Sequence, residues 1–266
     1  MVNLQYAVGN LSSFLKFPKW AYSKYKQLHQ PPRLNTPAYW IAKSKLNSKN
    51  LNVIQIGSND GKTGDPIFEL INRKHNWEVL LVEPVPYLFE RLKSNYGSGR
   101  RFSFENVAIN DGTTQVFYWV SDEAKKDIPN LPVWYDQLGS FNKFNILTHL
   151  DGILEPYIRE LHVEGITLNK LIERNNIKAV DILHIDTEGY DWKVLSQFDL
   201  EKYNPLIILF EYKHLANSEI QGARDFLKNK YNIFQFEGDY LCLRKDQKML
   251  KKDDLNILSA NFPLKY

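Results

Sequence analysis

The chain is poor in sulfur, with one cysteine and two methionines among 266 residues. A single Cys242 excludes an intramolecular disulfide and any cysteine-rich zinc or iron–sulfur centre, and fits a reducing compartment. No run approaches the ~20 apolar residues of a membrane helix. Residues 11–20 are broken by Lys16, Pro18 and Lys19, so no signal-peptide core is present and a cytoplasmic location is expected. Acidic residues are missing from the front: the first is Asp60, preceded by Lys16, Lys19, Lys24, Lys26, Arg33, Lys43, Lys45 and Lys49. The formal net charge of +3 therefore hides a split, eight positive charges before Asp60 and a net −5 after it. Such asymmetry suggests an anionic partner or surface for the front, or packing of the front on the acidic body.

Aromatic residues are abundant, with 15 Phe, 15 Tyr and 6 Trp. Many lie in residues 1–50 beside the lysines. There Pro31 and Pro32 predict two short helices separated by a turn, an appendage on the main domain of residues 51–266. From residue 51 strands and helices alternate. Residues 51–56 (LNVIQI), 77–82, 102–107, 179–185 and 205–210 (PLIILF) are apolar runs of strand length. Asp65-Pro66, Pro86 and Thr167 open intervening helices, and 191–198 and 218–231 are two more. Residues 113–120 are expected to add an antiparallel strand, and 233–236 with 240–243 a terminal hairpin giving an antiparallel edge. This is an α/β pattern, a mostly parallel sheet covered on both faces. Residues 121–165 contain a stretch too long for an ordinary connection and are read as an insertion or lid.

Ligands of open α/β sheets bind beyond the carboxyl ends of the strands. The residues there are Gly57, Ser58, Asn59, Asp60 and Gly61, then Glu83, Asn106 and Ala108, then Asp186 and Glu188, then Glu211 and His214. Glu83 ends the second strand 22 residues after Gly61, a position suited to accepting hydrogen bonds from a ribose diol. Glycines at 57, 61 and 64 lack the GxGxxG spacing, which favours a nucleoside without a diphosphate, such as S-adenosylmethionine, over NAD. An NAD-dependent Rossmann dehydrogenase and a non-catalytic cofactor-binding module are the alternatives.

Residues 54–66 (IQIGSNDGKTGDP), 81–86 (LVEPVP), 106–109 (NVAI), 183–191 (LHIDTEGYD) and 210–215 (FEYKHL) resemble the FkbM-type S-adenosylmethionine-dependent methyltransferases. The resemblance spans about residues 50–245 and implies a Rossmann-like class I methyltransferase fold with a seven-stranded sheet. It implies O-methylation of a hydroxyl on a small molecule, secondary metabolite or glycan. By position, Gly57, Ser58, Asn59, Asp60 and Gly61 would cradle the methionine part of the cofactor, Glu83 the ribose, and Asn106 and Ala108 the adenine. Gln55 stands where many methyltransferases carry an acid, so Asp60 or Asp186 is expected to substitute for it.

Removing the proton of an alcohol calls for a base, and Asp186, Glu188, Glu211 and His214 are the candidates. Two acids with a histidine also compose a set able to bind a divalent ion, which the residues leave open. His184, inside a strand, reads as a hydrogen-bonded core histidine. Residues 137–141 (QLGSF) also resemble a segment of the family, which implies that Ser140 faces cofactor or substrate; a helix cap is the alternative. Nothing resembles an NPPY-type motif for a flipped base, and the body is acidic, so no nucleic-acid partner is expected. The basic front is expected to cover the acceptor side and to recruit an anionic or surface-bound substrate.

Overall fold

Apolar residues on alternating positions of each central strand determine how the layers assemble. In the computed structural model, which describes residues 34–44, 46, 49–246 and 248–264, these strands are β1 (Leu51–Ile56), β2 (Trp77–Val82), β8 (Ile182–Ile185) and β9 (Ile207–Glu211). Leu51, Val53, Val79, Leu81, Ile207 and Leu209 point to one face of the sheet, and Ile54, Ile56, Leu80, Val82, Ile208 and Phe210 to the other. Both faces are buried, as a parallel sheet requires.

The first face is covered by α1 (Pro37–Lys43), α2 (Phe68–Arg73) and α9 (Lys252–Asn261). The described part of the basic front thus reaches the core: Trp40 is 1% exposed and Ile41 and Leu46 are buried beside it. Lys43 pairs with Asp254 of α9 at 2.6 Å. Of the two short helices expected on either side of Pro31 and Pro32, the first lies outside the described residues and the second corresponds to α1. The opposite face is covered by α6 (Leu168–Arg174), α7 (Asp191–Leu195) and α8 (Asn217–Leu227). Between β2 and β3 (Phe102–Glu105) runs α3 (Pro86–Tyr96). The strand expected over 102–107 ends at Glu105, and Ala108–Ile109 (β4) instead pairs with Gly165–Ile166 (β7).

The seven strands lie in the order β10-β11-β9-β8-β1-β2-β3, with β10 at Tyr231–Gln235 and β11 at Asp239–Arg244. Only β11 runs against its neighbours. The terminal hairpin therefore forms as expected, but its antiparallel strand sits inside the sheet and β10 takes the edge. The last strand, with Tyr240, Leu241, Cys242 and Leu243 all buried, needs cover on both sides, which an edge does not provide.

Residues 115–120 form a strand, β5 (Gln115–Val120), that does not extend the main sheet; it pairs with β6 (Ile158–Val163) in a small antiparallel sheet. The lid segment between them holds short helices α4 (Ala124–Asp127) and α5 (Lys143–Leu147) around a core of Val120, Tyr135, Leu138, Ile146 and Leu154. Helix α2 begins at Phe68, because the Asp65 side chain accepts from the Ile67 N–H at 2.8 Å and makes a turn of its own first. No helix among the described residues is long and apolar enough to cross a membrane.

Candidate active site

The carboxyl end of β1 is built for close backbone approach. Gly57 has φ +77°, and a Cβ there would lie 1.7 Å from the Asp186 carbonyl oxygen. Its N–H and that of Ser58 donate to the Val82 carbonyl at 3.0 and 2.9 Å, while the Asp186 N–H donates to Ile56. The ends of β2, β1 and β8 are stitched together at a point that tolerates only glycine.

Glu83 follows from this. It is 3% exposed, and its two oxygens each accept one backbone N–H at 2.8 Å, Oε2 from Asn59 and Oε1 from Val85. Burial pushes its carboxyl up to about 7 against the opposing pull of those two bonds. Each oxygen keeps a second acceptor position. The carboxylate borders a pocket of about 480 Å³, counting its open mouth, with an apolar side formed by Val82, Val107, Ala108, Ile109, Phe117 and Phe141 and a polar side that includes Asn59, Gln137, Asp186 and Glu188. A buried carboxylate with two acceptor positions beside an apolar slot fits the adenosine part of S-adenosylmethionine. Glu83 would hold the ribose and Ala108 would border the base.

The other predicted cofactor residues divide. Asn59 and Gly57 line this pocket. Gly61 packs against Leu92 and Tyr96, and Asn106 spends its amide on the Glu83 and Pro84 carbonyls; neither lines it. Ser58 lines the wider cleft next door. The Asp60 carboxylate turns into its own loop, accepting from Lys62, Thr63 N–H and Thr63 Oγ1, and lines neither cleft. The acid that reaches Gln55 is Asp65, which accepts from Gln55 Nε2 at 3.0 Å and is pushed up to about 6 by burial. Spacing had presented it only as a helix cap. Gln55 Oε1 is buried with no hydrogen-bond partner among the described residues.

The wider cleft is open to solvent, spans about 1430 Å³ counting its mouth, and shares Gly57, Asn59, Gln137, Asp186 and Glu188 with the pocket. Its walls add Thr63, Asp65, Trp134, His149, Glu211, Lys213 and Asp239, a polar set with one indole. Gln137 comes from the lid and donates to the Thr63 carbonyl at 2.7 Å.

Asp186, Glu188, Glu211 and His214 do converge. Glu188 takes φ +50° and Gly189 φ +92°, a turn held by the buried Asp191, which accepts from the Gly189 N–H. Glu188 Oε2 then lies 3.3 Å from His214 Nε2, and Glu211 Oε2 lies 3.8 Å from the same nitrogen. Glu211 Oε1 pairs with Lys213 at 2.6 Å. Burial, reinforced by Glu211, drives the Asp186 and Glu188 carboxyls well above the usual carboxylate range. Burial also pushes the His214 imidazole below its ordinary value, against the opposing pull of Glu211.

His149 joins them from the lid, its ring 5.4 Å from that of His214. No sequence pattern pointed to it, since it follows the short helix α5 in a segment without periodicity. Asn145 fixes it there: its carbonyl meets His149 Nδ1 at 2.7 Å, and its amide donates to the Glu188 carbonyl and to Ser140 Oγ. Ser140 is thus occupied in lid packing and lines neither cleft. His184 is buried and pushed down to about 3, yet its Nδ1 lacks the hydrogen bond expected of it and its ring borders the wider cleft.

Three solved structures are similar in outline. The fibrillarin/Nop5p complex aligns at 10% identity over 79% of this chain and 81% of that one, with a TM-score of 0.37. A precorrin-6y C5,15-methyltransferase from Geobacter metallireducens GS-15 aligns at 10% over 78% and 86%, TM-score 0.37. A human methyltransferase 10 domain-containing protein aligns at 11% over 74% and 71%, TM-score 0.31. No curated protein sequence gives a significant match. The model of the methyltransferase FkbM domain matches residues 55–240, from the strand before the glycine turn to the strand beside Glu211. The chain belongs to the FkbM methyltransferase family and is an S-adenosylmethionine-dependent methyltransferase.

Proposed function

We propose that this enzyme methylates a hydroxyl oxygen of a small molecule, secondary metabolite or glycan. S-adenosylmethionine, when bound, supplies an electrophilic methyl group on a sulfonium. One observation carries the reading: Asp186 and Glu188 line both the narrow pocket and the wide polar cleft, so proton-accepting groups stand where the two meet. Placement comes first, because an alcohol oxygen must be held in line with the transferred methyl. The carboxylates then accept its proton, and their raised pKa makes them better bases than exposed acids. Glu211 and His214 act through Glu188. The mixture of Trp134 with Thr63 and Gln137 suits a polyhydroxylated acceptor, which presents C–H faces and hydroxyls together.

Membership of the family and the glycine spacing set aside the dehydrogenase alternative. The test is transfer of a labelled methyl group to a panel of hydroxylated, amino and thiol acceptors. Label in an ether is expected. Label only on nitrogen or sulfur overturns the oxygen assignment, and cofactor binding without turnover on any acceptor supports the non-catalytic module instead.

A further inference from the structure

We propose that His149, Glu188 and His214 form a binding site for one divalent first-row transition-metal ion at the acceptor side of the cleft. A ligand atom from each lies within 4.8 Å of the others, and so do those of Asp186, Glu188 and Glu211, with Glu188 common to both sets. At bond lengths of about 2.1 Å, two adjacent ligands of a tetrahedral or octahedral ion stand about 3.0–3.4 Å apart. The 3.3 Å separation of Glu188 Oε2 and His214 Nε2 falls in that range.

Neither histidine is spent elsewhere at the required atom. The Asn145 carbonyl can only accept, so His149 carries its proton on Nδ1 and keeps the lone pair on Nε2. This is the arrangement by which a backbone carbonyl orients a metal-binding imidazole. His214 Nε2 is buried without a hydrogen bond. Independently, Glu211 is 6% exposed, and its Oε2 has no hydrogen-bond partner and points at the cluster, 3.8 Å from His214 Nε2. Asp186 Oδ1 is likewise unpartnered. Asp186, Glu188, Glu211 and Asp239 border the same cleft as a single lysine, Lys213, so a cation there meets an excess of negative charge. Two imidazoles with a carboxylate select a first-row transition ion rather than Mg²⁺ or Ca²⁺, which prefer oxygen ligands throughout.

The ion's role rests on the O-methylation reading: it would take the acceptor hydroxyl as a further ligand and acidify it, leaving Asp186 to accept the proton. The test separates the two. Full-length protein freed of metal with a chelator is titrated with Co²⁺, followed by heat and by the visible bands of the ion, with Mg²⁺ as control. One saturable Co²⁺ per chain is expected, displaced by Zn²⁺, with no comparable Mg²⁺ binding. His149→Ala and His214→Ala should each weaken Co²⁺ at least tenfold while leaving S-adenosylmethionine binding and the circular dichroism spectrum unchanged. Absence of saturable Co²⁺ binding, or binding indifferent to both substitutions, overturns the site and leaves the methyl-transfer reading standing. Histidine-dependent Co²⁺ binding with label found only on nitrogen supports the site and overturns the oxygen assignment.

Discussion

Replacing Glu83 by glutamine gives a response whose sign and size follow from the two backbone bonds. The wild-type carboxyl sits at about 7 in the folded protein against an ordinary value of 4.5. Because the folded value is raised, its stabilising contribution is complete below pH ~4.5 and is lost as pH rises through about 7. That elevation corresponds to about 3 kcal/mol between pH 4.5 and pH 8. Glutamine does not titrate, so this slope disappears. It has a cost of its own: both Glu83 oxygens accept N–H donors, and the amide nitrogen of glutamine cannot, which orphans one donor at about 1–3 kcal/mol. Urea unfolding at pH 5 and pH 8 should therefore show Glu83→Gln less stable than wild type at pH 5, with the gap closed or reversed at pH 8. Other titrating groups are common to both proteins and cancel. A gap of the same size at both pH values would refute the reasoning. Ribose hydroxyls donate to an ionised carboxylate, so wild-type affinity for S-adenosylmethionine should also rise with pH up to about 7, and the substitution should abolish that dependence.

Four more substitutions have defined outcomes. Gly57→Ala places a methyl group against the Asp186 carbonyl at positive φ; it should cost about 2–5 kcal/mol in urea unfolding and eliminate cofactor binding by calorimetry. Gly97→Ala has the same backbone strain at φ +74° with nothing within 4 Å, and should cost only about 1–2 kcal/mol with binding intact; equal losses would show that strain rather than the stitched strand ends matters at Gly57. Trp40→Ala removes a side chain buried against the sheet and the bond from its Nε1 to the Leu34 carbonyl, and should cost about 3–5 kcal/mol; a loss below about 1 kcal/mol would mean that α1 is dispensable to the core. Asp65→Asn leaves Gln55 with a neutral partner and should weaken the cofactor's amino-acid end, raising its Kd with no change in the Glu83-dependent pH response; an unchanged Kd would remove Asp65 from the site.

The central strands were legible because β1, β2, β8 and β9 are apolar on both faces, and burial on both faces leaves few alternatives. Neighbour order was not, since a buried run such as Tyr240 to Leu243 reads alike in the middle of a sheet and at its edge. β6 was hidden because Ile158–Val163 leaves one face partly to solvent and lies in a segment otherwise without period. Among the candidate residues, Glu83, Asp186, Glu188, Glu211 and His214 could be named from sequence because strand ends indicate where ligands bind. His149 and Gln137 sit on the lid, whose path depends on packing around Ile146 and Leu154 rather than on any local pattern. Asp60 and Asp65 could not be ranked from sequence, because which carboxylate folds back on its own loop depends on hydrogen bonds made only after the turn closes.

The position of β11 has a consequence for how the protein is made. It lies between β9 and β10, pairing Asp239 with Glu211 and Leu243 with Ile207. During synthesis β9 therefore emerges well before the strand that covers it. Until residue 244 is made, its apolar run stands as an open sheet edge able to recruit another chain. Glu211 and His214, two members of the converging cluster, lie at and just beyond the end of that same strand. The edge that carries Glu211 is thus completed only after β11 has been made, and aggregation of incomplete chains is the hazard this topology carries.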